Sequence, residues 1–416
     1  MIYLILITFV FLSVKLFNSS NLIFIITNLA LLIAYIQFIL SSYLVIYEYT
    51  TIGLYPMNVQ AKEYFTLIIP YFIALYVGLN FRSSYFNNKT NFVPEKTLSN
   101  THRGYSLIII SFLFSVFAYF GILSSIDSFA RYLAYIGGFY LVFGRFNFFD
   151  KVVLVLIFIN LFYSAIASSI FIEFFVWILF LYFILNMKYS FKFVRKISFM
   201  VGLVFFVFLV QGFKSSFRAN LRDNKDVSST SLFTGMAIDQ IKITFSEGLL
   251  ESTGFSIIVL RLNQGWHIEQ VMNHVPSVVK FSYGLETIDD IINSILPRIL
   301  MPSKKAVSNR DKFIRYTGYN LSEGTAMTIG VFGDAYINFG SWGFIFLFFV
   351  GYFFIYSIKL FIKNFVFVNA SYILWLPFFS HYFIRAGNDF YMVINSLIKG
   401  FVLFFIINFI WKKMKI

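Results

Sequence analysis

Apolar runs long enough to cross a bilayer recur along nearly the whole chain, and they constrain its fold more than any other feature. A hydrocarbon core about 30 Å thick needs roughly 17 to 25 apolar residues in an α-helix. Runs of this kind stand at 22–46, 105–123 and 393–411. Shorter ones lie at 2–14, 65–79, 129–144, 152–165, 170–185, 197–210, 343–358 and 365–383. Eleven or twelve transmembrane helices are predicted, the shorter runs crossing with tilt or with longer true boundaries. Inside lipid every backbone N–H and C=O must be satisfied within its own segment, so the expected fold is an all-α polytopic membrane protein. With 59% hydrophobic and 12% charged residues among 416, a water-soluble globule is excluded. The 59 Phe and 27 Tyr accompany abundant Ile, Asn and Lys, which points to an AT-rich coding sequence rather than to a function.

Cysteine is absent, which removes disulfides, thiolate nucleophiles and thiolate metal sites. The four histidines, His102, His267, His274 and His381, show no metal-ligand spacing, so neither a metal nor a cofactor is expected. Basic residues in short loops are retained on the cytoplasmic side. Arg82, Lys89, Lys96 and Arg103 share one such loop, Lys188, Lys192, Arg195 and Lys196 another, and Lys412, Lys413 and Lys415 close the chain. The alternating loops around 124–128 and 164–169 hold almost no Lys or Arg and are predicted to face outward. By the same alternation the polar stretch that follows is extracytoplasmic. It carries thirteen Lys and Arg against twelve Asp and Glu between 211 and 343, so most of the formal +14 lies elsewhere, on the cytoplasmic face. That excess reports topology, and nucleic acid is not an expected partner.

Three sections follow: N-terminal transmembrane helices over 1–212, a large periplasmic loop with amphipathic helices over 213–342, and C-terminal transmembrane helices over 343–416. Residues 1–14 lack the basic start and cleavage pattern of a secretory signal and read as a retained span. Eleven spans would put Met1 outside, and twelve would bring both termini inside.

Within 213–342, Arg218, Arg222 and Lys225 are spaced along one helical face, suited to headgroups or to solvent. Residues 236–262 alternate apolar and polar with a period near 3.6, as amphipathic helices do. Trp266 and His267 are expected as interfacial anchors. Pro297 and Pro302 bracket a short element and set Arg298, Lys304 and Lys305 around a stiffened turn. Arginine offers phosphate a planar bidentate fork and lysine a point charge, so together they can neutralise a leaving diphosphate. Arg310, Lys312 and Arg315 continue the basic character, with Tyr316 and Tyr319 able to stack on sugar rings; taken singly, each reads first as a surface residue.

The run LPRILMPSKK, the polar stretch holding Gly324 and Thr325, and GDAYINFGSWG leading into a span together resemble the O-antigen polymerase family, the Wzy-type oligosaccharide repeat-unit polymerases. Pro297, Arg298, Pro302 and Lys304, then Tyr336, Asn338, Phe339 and Gly340, carry the resemblance, which also extends to many spans and one large loop in the second half. It implies a GT-C-like architecture, a bacterial inner membrane location, and undecaprenyl-pyrophosphate-linked oligosaccharides as substrates among membrane lipids, with a polysaccharide chain-length regulator as a further partner. The implied reaction moves the growing glycan from its undecaprenyl pyrophosphate onto a sugar hydroxyl of an incoming repeat unit. It needs cations for the departing diphosphate, a base for the acceptor proton and a cavity open sideways to lipid; nothing in that list calls for a metal.

The candidate catalytic carboxylates are Glu323, Asp334 and Asp389, with His381 behind them. Candidate pyrophosphate- and glycan-binding residues are Arg298, Lys304, Lys305, Arg315, Tyr336 and Arg385. An arginine beside apolar segments, as Arg385 is, is costly unless paired or occupied by a ligand. A salt bridge from Arg385 to Asp389 is its structural alternative, and helix capping is that of Asp334. Glu173 and Lys399 are charges within expected spans, explained equally by solvation at a boundary and by snorkelling or pairing. Two other functions share this topology, a ligase that moves finished glycan onto lipopolysaccharide core and a flippase for the lipid-linked unit. Few charges in the spans and a very large loop favour the polymerase over the flippase.

Overall fold

A computed structural model of the chain describes residues 2–17, 19, 21–49, 55–81, 100–120, 124–223, 228–247, 253–296, 310–322, 325 and 327–414. The structure is 84% helix, with no strand among the described residues. In chain order the helices are α1 (Ile2–Phe17), α2 (Leu22–Tyr35), α3 (Ser41–Tyr47), α4 (Ala61–Asn80), α5 (Thr101–Tyr119), α6 (Ser124–Phe143), α7 (Phe148–Ser168), α8 (Ile172–Tyr189) and α9 (Phe193–Asp223). They continue as α10 (Ser229–Glu247), α11 (Thr253–Leu262), α12 (Gly265–His274), α13 (Leu285–Ile295), α14 (Arg310–Thr317), α15 (Gly330–Phe339), α16 (Gly343–Phe361), α17 (Leu376–Ile384) and α18 (Phe390–Met414).

Seven helical stretches among the described residues are long and apolar enough to cross a membrane: Leu22–Tyr47, Ala61–Asn80, Phe148–Ser168, Ile172–Tyr189, Phe193–Lys214, Gly330–Val366 and Phe390–Met414. Three shorter apolar helices, Tyr3–Phe17, Thr101–Phe117 and Phe129–Phe143, fall on further expected runs. Only 17% of the apolar window in Phe193–Lys214 and 28% of that in Phe148–Ser168 is buried, so these helices turn hydrocarbon outward, the reverse of a helix on a water-soluble protein. The chain is therefore a multi-pass helical membrane protein.

The expected crossing at 365–383 is not one helix. A π-helical turn, Ile362–Val366, closes the α16 run. Asn369 then accepts from the backbone N–H of Ser371 at 3.0 Å and from its hydroxyl at 2.7 Å, which starts a 3-10 segment, Ala370–Trp375, ahead of α17. A short side chain that bonds its own neighbourhood offers the backbone an alternative to continuous helix. Near 213, where the polar section is expected to begin, the span-length apolar part of α9 ends at Lys214 and the helix itself continues to Asp223.

Packing divides the chain into two compact units that cut across sequence order. One holds Met1–Asn91, Leu262–Val368 and Phe378–Lys415; the other holds Phe92–Arg261 and Asn369–Pro377. In the first unit, α2 and α3 are joined by the π-helical turn Ile36–Leu40. Such a turn interrupts the regular α-helical bonding, and here the Gln37 carbonyl accepts from Gln264 N–H at 3.0 Å and the Phe38 carbonyl from the Tyr64 hydroxyl at 2.9 Å. Helices α4 and α16 lie against each other so closely that a Cβ at Gly78 would collide with the Phe348 carbonyl. Small residues permit this backbone approach, which is how helices associate when lipid removes the usual hydrophobic drive. In the second unit α7 starts on a capping box: Asn147 accepts from Asp150 N–H at 2.9 Å and Asp150 from Asn147 N–H at 3.0 Å. Its spans are held by aromatic packing, with Phe213 and Phe233 at 5.2 Å and Phe171 stacked on Phe233 at 5.8 Å.

Candidate functional site

Among the described residues, the first unit holds a buried charge network and a cleft. The network begins where α15 and α18 start side by side. The Asp389 carboxylate accepts from Gly330 N–H at 2.7 Å, and the Asp334 carboxylate accepts from Phe390 N–H at 2.7 Å. Each aspartate thus serves the N-terminal end of the other's helix, where unpaired N–H groups and the helix dipole both favour negative charge. Thr328 adds a hydroxyl bond of 2.6 Å to the Gly387 carbonyl. Gly330 sits at φ +79°, with the Ala386 carbonyl 3.2 Å from where a Cβ would stand, so this crossing requires glycine.

Lys312 of α14 reaches into the same place. Its ammonium lies 2.7 Å from Asp334 and 3.1 Å from Asp290 of α13, and all three side chains are nearly inaccessible. Burial alone would lower the pKa of Lys312. The carboxylates of Asp334, Asp389 and Asp290 outweigh it and hold the ammonium above its ordinary value. At the rim, Arg315 meets Glu286 at 3.2 Å and Tyr316 donates to the same carboxylate at 2.9 Å, its own hydroxyl pushed up by burial and by that bond.

A cleft of about 510 Å³ opens along α4 and reaches α15 at Tyr336. Gln60, Lys62, Glu63 and Ser341 line it with polar groups, Tyr336 with an aromatic ring, and Leu67, Pro70 and Phe344 with apolar surface. Lys62 and Glu63 are exposed in the first turn of α4, a helix of membrane-spanning length. Glu269 of α12, itself buried, fastens the entry to α4, accepting from Asn58 N–H at 2.5 Å and Val59 N–H at 2.8 Å; burial raises its pKa against the pull of those two bonds.

The structure places the sequence candidates unequally. Tyr336 lines the cleft, and Arg315 is largely exposed beside Glu286. Arg385 is half-buried, its guanidinium 5.3 Å from the Tyr382 ring centroid. The helical turn expected to carry Arg385 onto Asp389 does not form, since 385–389 is the turn between α17 and α18. Asp334 and Asp389 are brought together, but as buried caps and counter-ions. His381 is fully buried, with Nδ1 2.7 Å from the Phe378 carbonyl. Arg298, Lys304, Lys305 and Glu323 lie outside the described residues. Glu173 accepts from the Tyr132 hydroxyl at 2.9 Å, which gives that charge within a span a structural partner.

Two expectations change. Trp266 and His267 are buried rather than interfacial: the Trp266 ring packs 4.9 Å from Tyr55 and 5.3 Å from Tyr319, and His267 lies 5.5 Å from Phe313. Burial pulls the imidazole down to about 4, against a backbone hydrogen bond at Thr328. Lys312, which reads in the sequence as one more surface cation, is the centre of the network. Lys62 and Glu63 open a span, and nothing in their local spacing marks them as part of a site. Comparison with known proteins finds no matching family model, no matching curated protein and no matching solved structure.

Proposed function

We propose that this multi-pass protein is a membrane glycosyltransferase that polymerises undecaprenyl-pyrophosphate-linked oligosaccharide repeat units into a surface polysaccharide. The observation that carries the reading is the cleft at Tyr336, which is lined by charged and polar side chains at the start of a membrane-spanning helix and by apolar ones one to two turns further along it. A substrate that is sugar and diphosphate at one end and polyprenyl at the other needs that combination.

In this reading the acceptor hydroxyl forms a new C–O bond to the anomeric carbon of the growing glycan while the bond from that carbon to the diphosphate breaks. The diphosphate leaves with the electron pair, met by Arg298, Lys304, Lys305, Arg315 and Arg385. Tyr336 packs against a sugar ring, and Glu323 takes the acceptor proton. Asp334 and Asp389 serve the reaction indirectly, by fixing with Lys312 the relative positions of α14, α15 and α18. Purified protein supplied with a lipid-linked repeat unit should yield, by mass spectrometry, glycans of two or more units together with undecaprenyl diphosphate. Transfer to lipopolysaccharide core alone would mark a ligase, and translocation without a new glycosidic bond a flippase.

A further inference from the structure

Helix α13 is built inside out for a water-soluble protein. Its residues Leu285, Ile288, Ile292 and Ile295 fall at intervals of three and four, forming one stripe, and they are 70%, 55%, 43% and 60% exposed. The opposite face is polar and buried. There Asp290, Asn293 and Ser294 are inaccessible, Asp290 meets Lys312, Glu286 meets Arg315 and Tyr316, and Asn293 donates to Asp289 at 3.0 Å. An amphipathic helix on a protein in water turns its apolar stripe to the core. This one shows its stripe to the surroundings and spends its acidic face on neighbouring cations.

We infer that α13 is an in-plane membrane helix, its Leu/Ile stripe immersed in the acyl chains of the bilayer interface. Three observations name that occupant. With eleven residues it extends about 16 Å, far short of the roughly 30 Å hydrocarbon core, so it is too short to cross the membrane. It packs against α18, a helix of spanning length whose Val402, Phe405, Ile406 and Phe409 are themselves exposed, so the stripe continues a lipid-facing surface. Two exposed aromatics of the kind that settle at headgroup level, Tyr283 and Trp342, stand at the same corner, where Gly284 meets the Phe339 ring. The acidic clustering of Glu286, Asp289 and Asp290 then serves as the inner side of an interfacial anchor, neutralised by Lys312 and Arg315.

The inference does not depend on which reaction the protein performs. The chain has no cysteine, so single cysteines at Leu285, Ile288, Ile292 and Ile295 can be spin-labelled without background. In the full-length protein reconstituted into phosphatidylcholine/phosphatidylglycerol vesicles, labels at these four positions should relax more with molecular oxygen than with a water-soluble nickel chelate. A label at the exposed Asp311 should show the reverse ratio. Nickel access at the stripe equal to that at Asp311 would overturn the inference. So would shielding from both reagents, which would mean that protein, not lipid, covers the stripe.

Discussion

Lys312 shows most plainly what one residue does here and why the sequence conceals it. Beside Arg310 and Arg315 it reads as part of a basic surface, because its carboxylate partners lie far away along the chain at 290, 334 and 389. No local spacing announces a contact that only tertiary packing makes. Removing the ammonium leaves Asp290 and Asp334 as buried charges without their counter-ion, a loss of about 3 to 5 kcal/mol for a broken buried pair. Lys312→Met should therefore lower the thermal unfolding midpoint in detergent sharply, and adding Asp290→Asn with Asp334→Asn should recover part of the loss. His267 supplies a second test. Its folded pKa of about 4 lies below the unfolded value near 6.5, so between those limits the unfolded chain binds the extra proton and stability rises with pH. Acidifying from pH 6.5 to 4 removes on the order of 3 kcal/mol through this group. Unfolding followed across that window should show His267→Gln losing less stability than the parent.

At the scale of elements, the apolar runs were readable because the bilayer demands length and composition, both of which are local. All the long runs fall on helices, and the all-α class follows from the same demand. Continuity and direction are less legible. Asn369 breaks the crossing at 365–383 through a two-residue side-chain bond, and a run of apolar residues hides that choice. The period of α13 is plain in LETIDDIINSI, yet periodicity gives the existence of two faces and not which one meets protein. Close packing is also invisible in composition. Gly78 is one glycine among 23, but it sets how near α4 comes to α16. Gly78→Val should force that pair apart at a cost of about 1 to 3 kcal/mol, the usual price of overpacking. A thermal melt of the variant in detergent checks it, and an unchanged midpoint would mean that the two backbones do not meet there.

For the whole molecule, the packing units are assembled from chain segments far apart in sequence, so α4 and its cleft belong with α12, α15 and α18. Sequence order, which sets one large loop between two blocks of spans, does not carry that grouping. The candidate site was legible in part: Tyr336, Asp334, Asp389 and Arg385 stood out as unusual residues near the re-entry to a span. Their roles are not separable in the sequence, since for Asp334 and Asp389 helix capping asks for the same side chains as catalysis. In the proposed polymerisation Arg298 and Arg385 hold the diphosphate. Replacing either by alanine should abolish long-chain glycan while leaving protein level and membrane insertion intact.

The most direct measurement is a gel of surface lipopolysaccharide from a strain lacking this gene, beside the same strain complemented with the parent, Arg298→Ala or Arg385→Ala. The account predicts core carrying a single repeat unit in the deletion and in both variants, with a ladder restored by the parent alone. Bare core in the deletion, or a normal ladder in both variants, would contradict it.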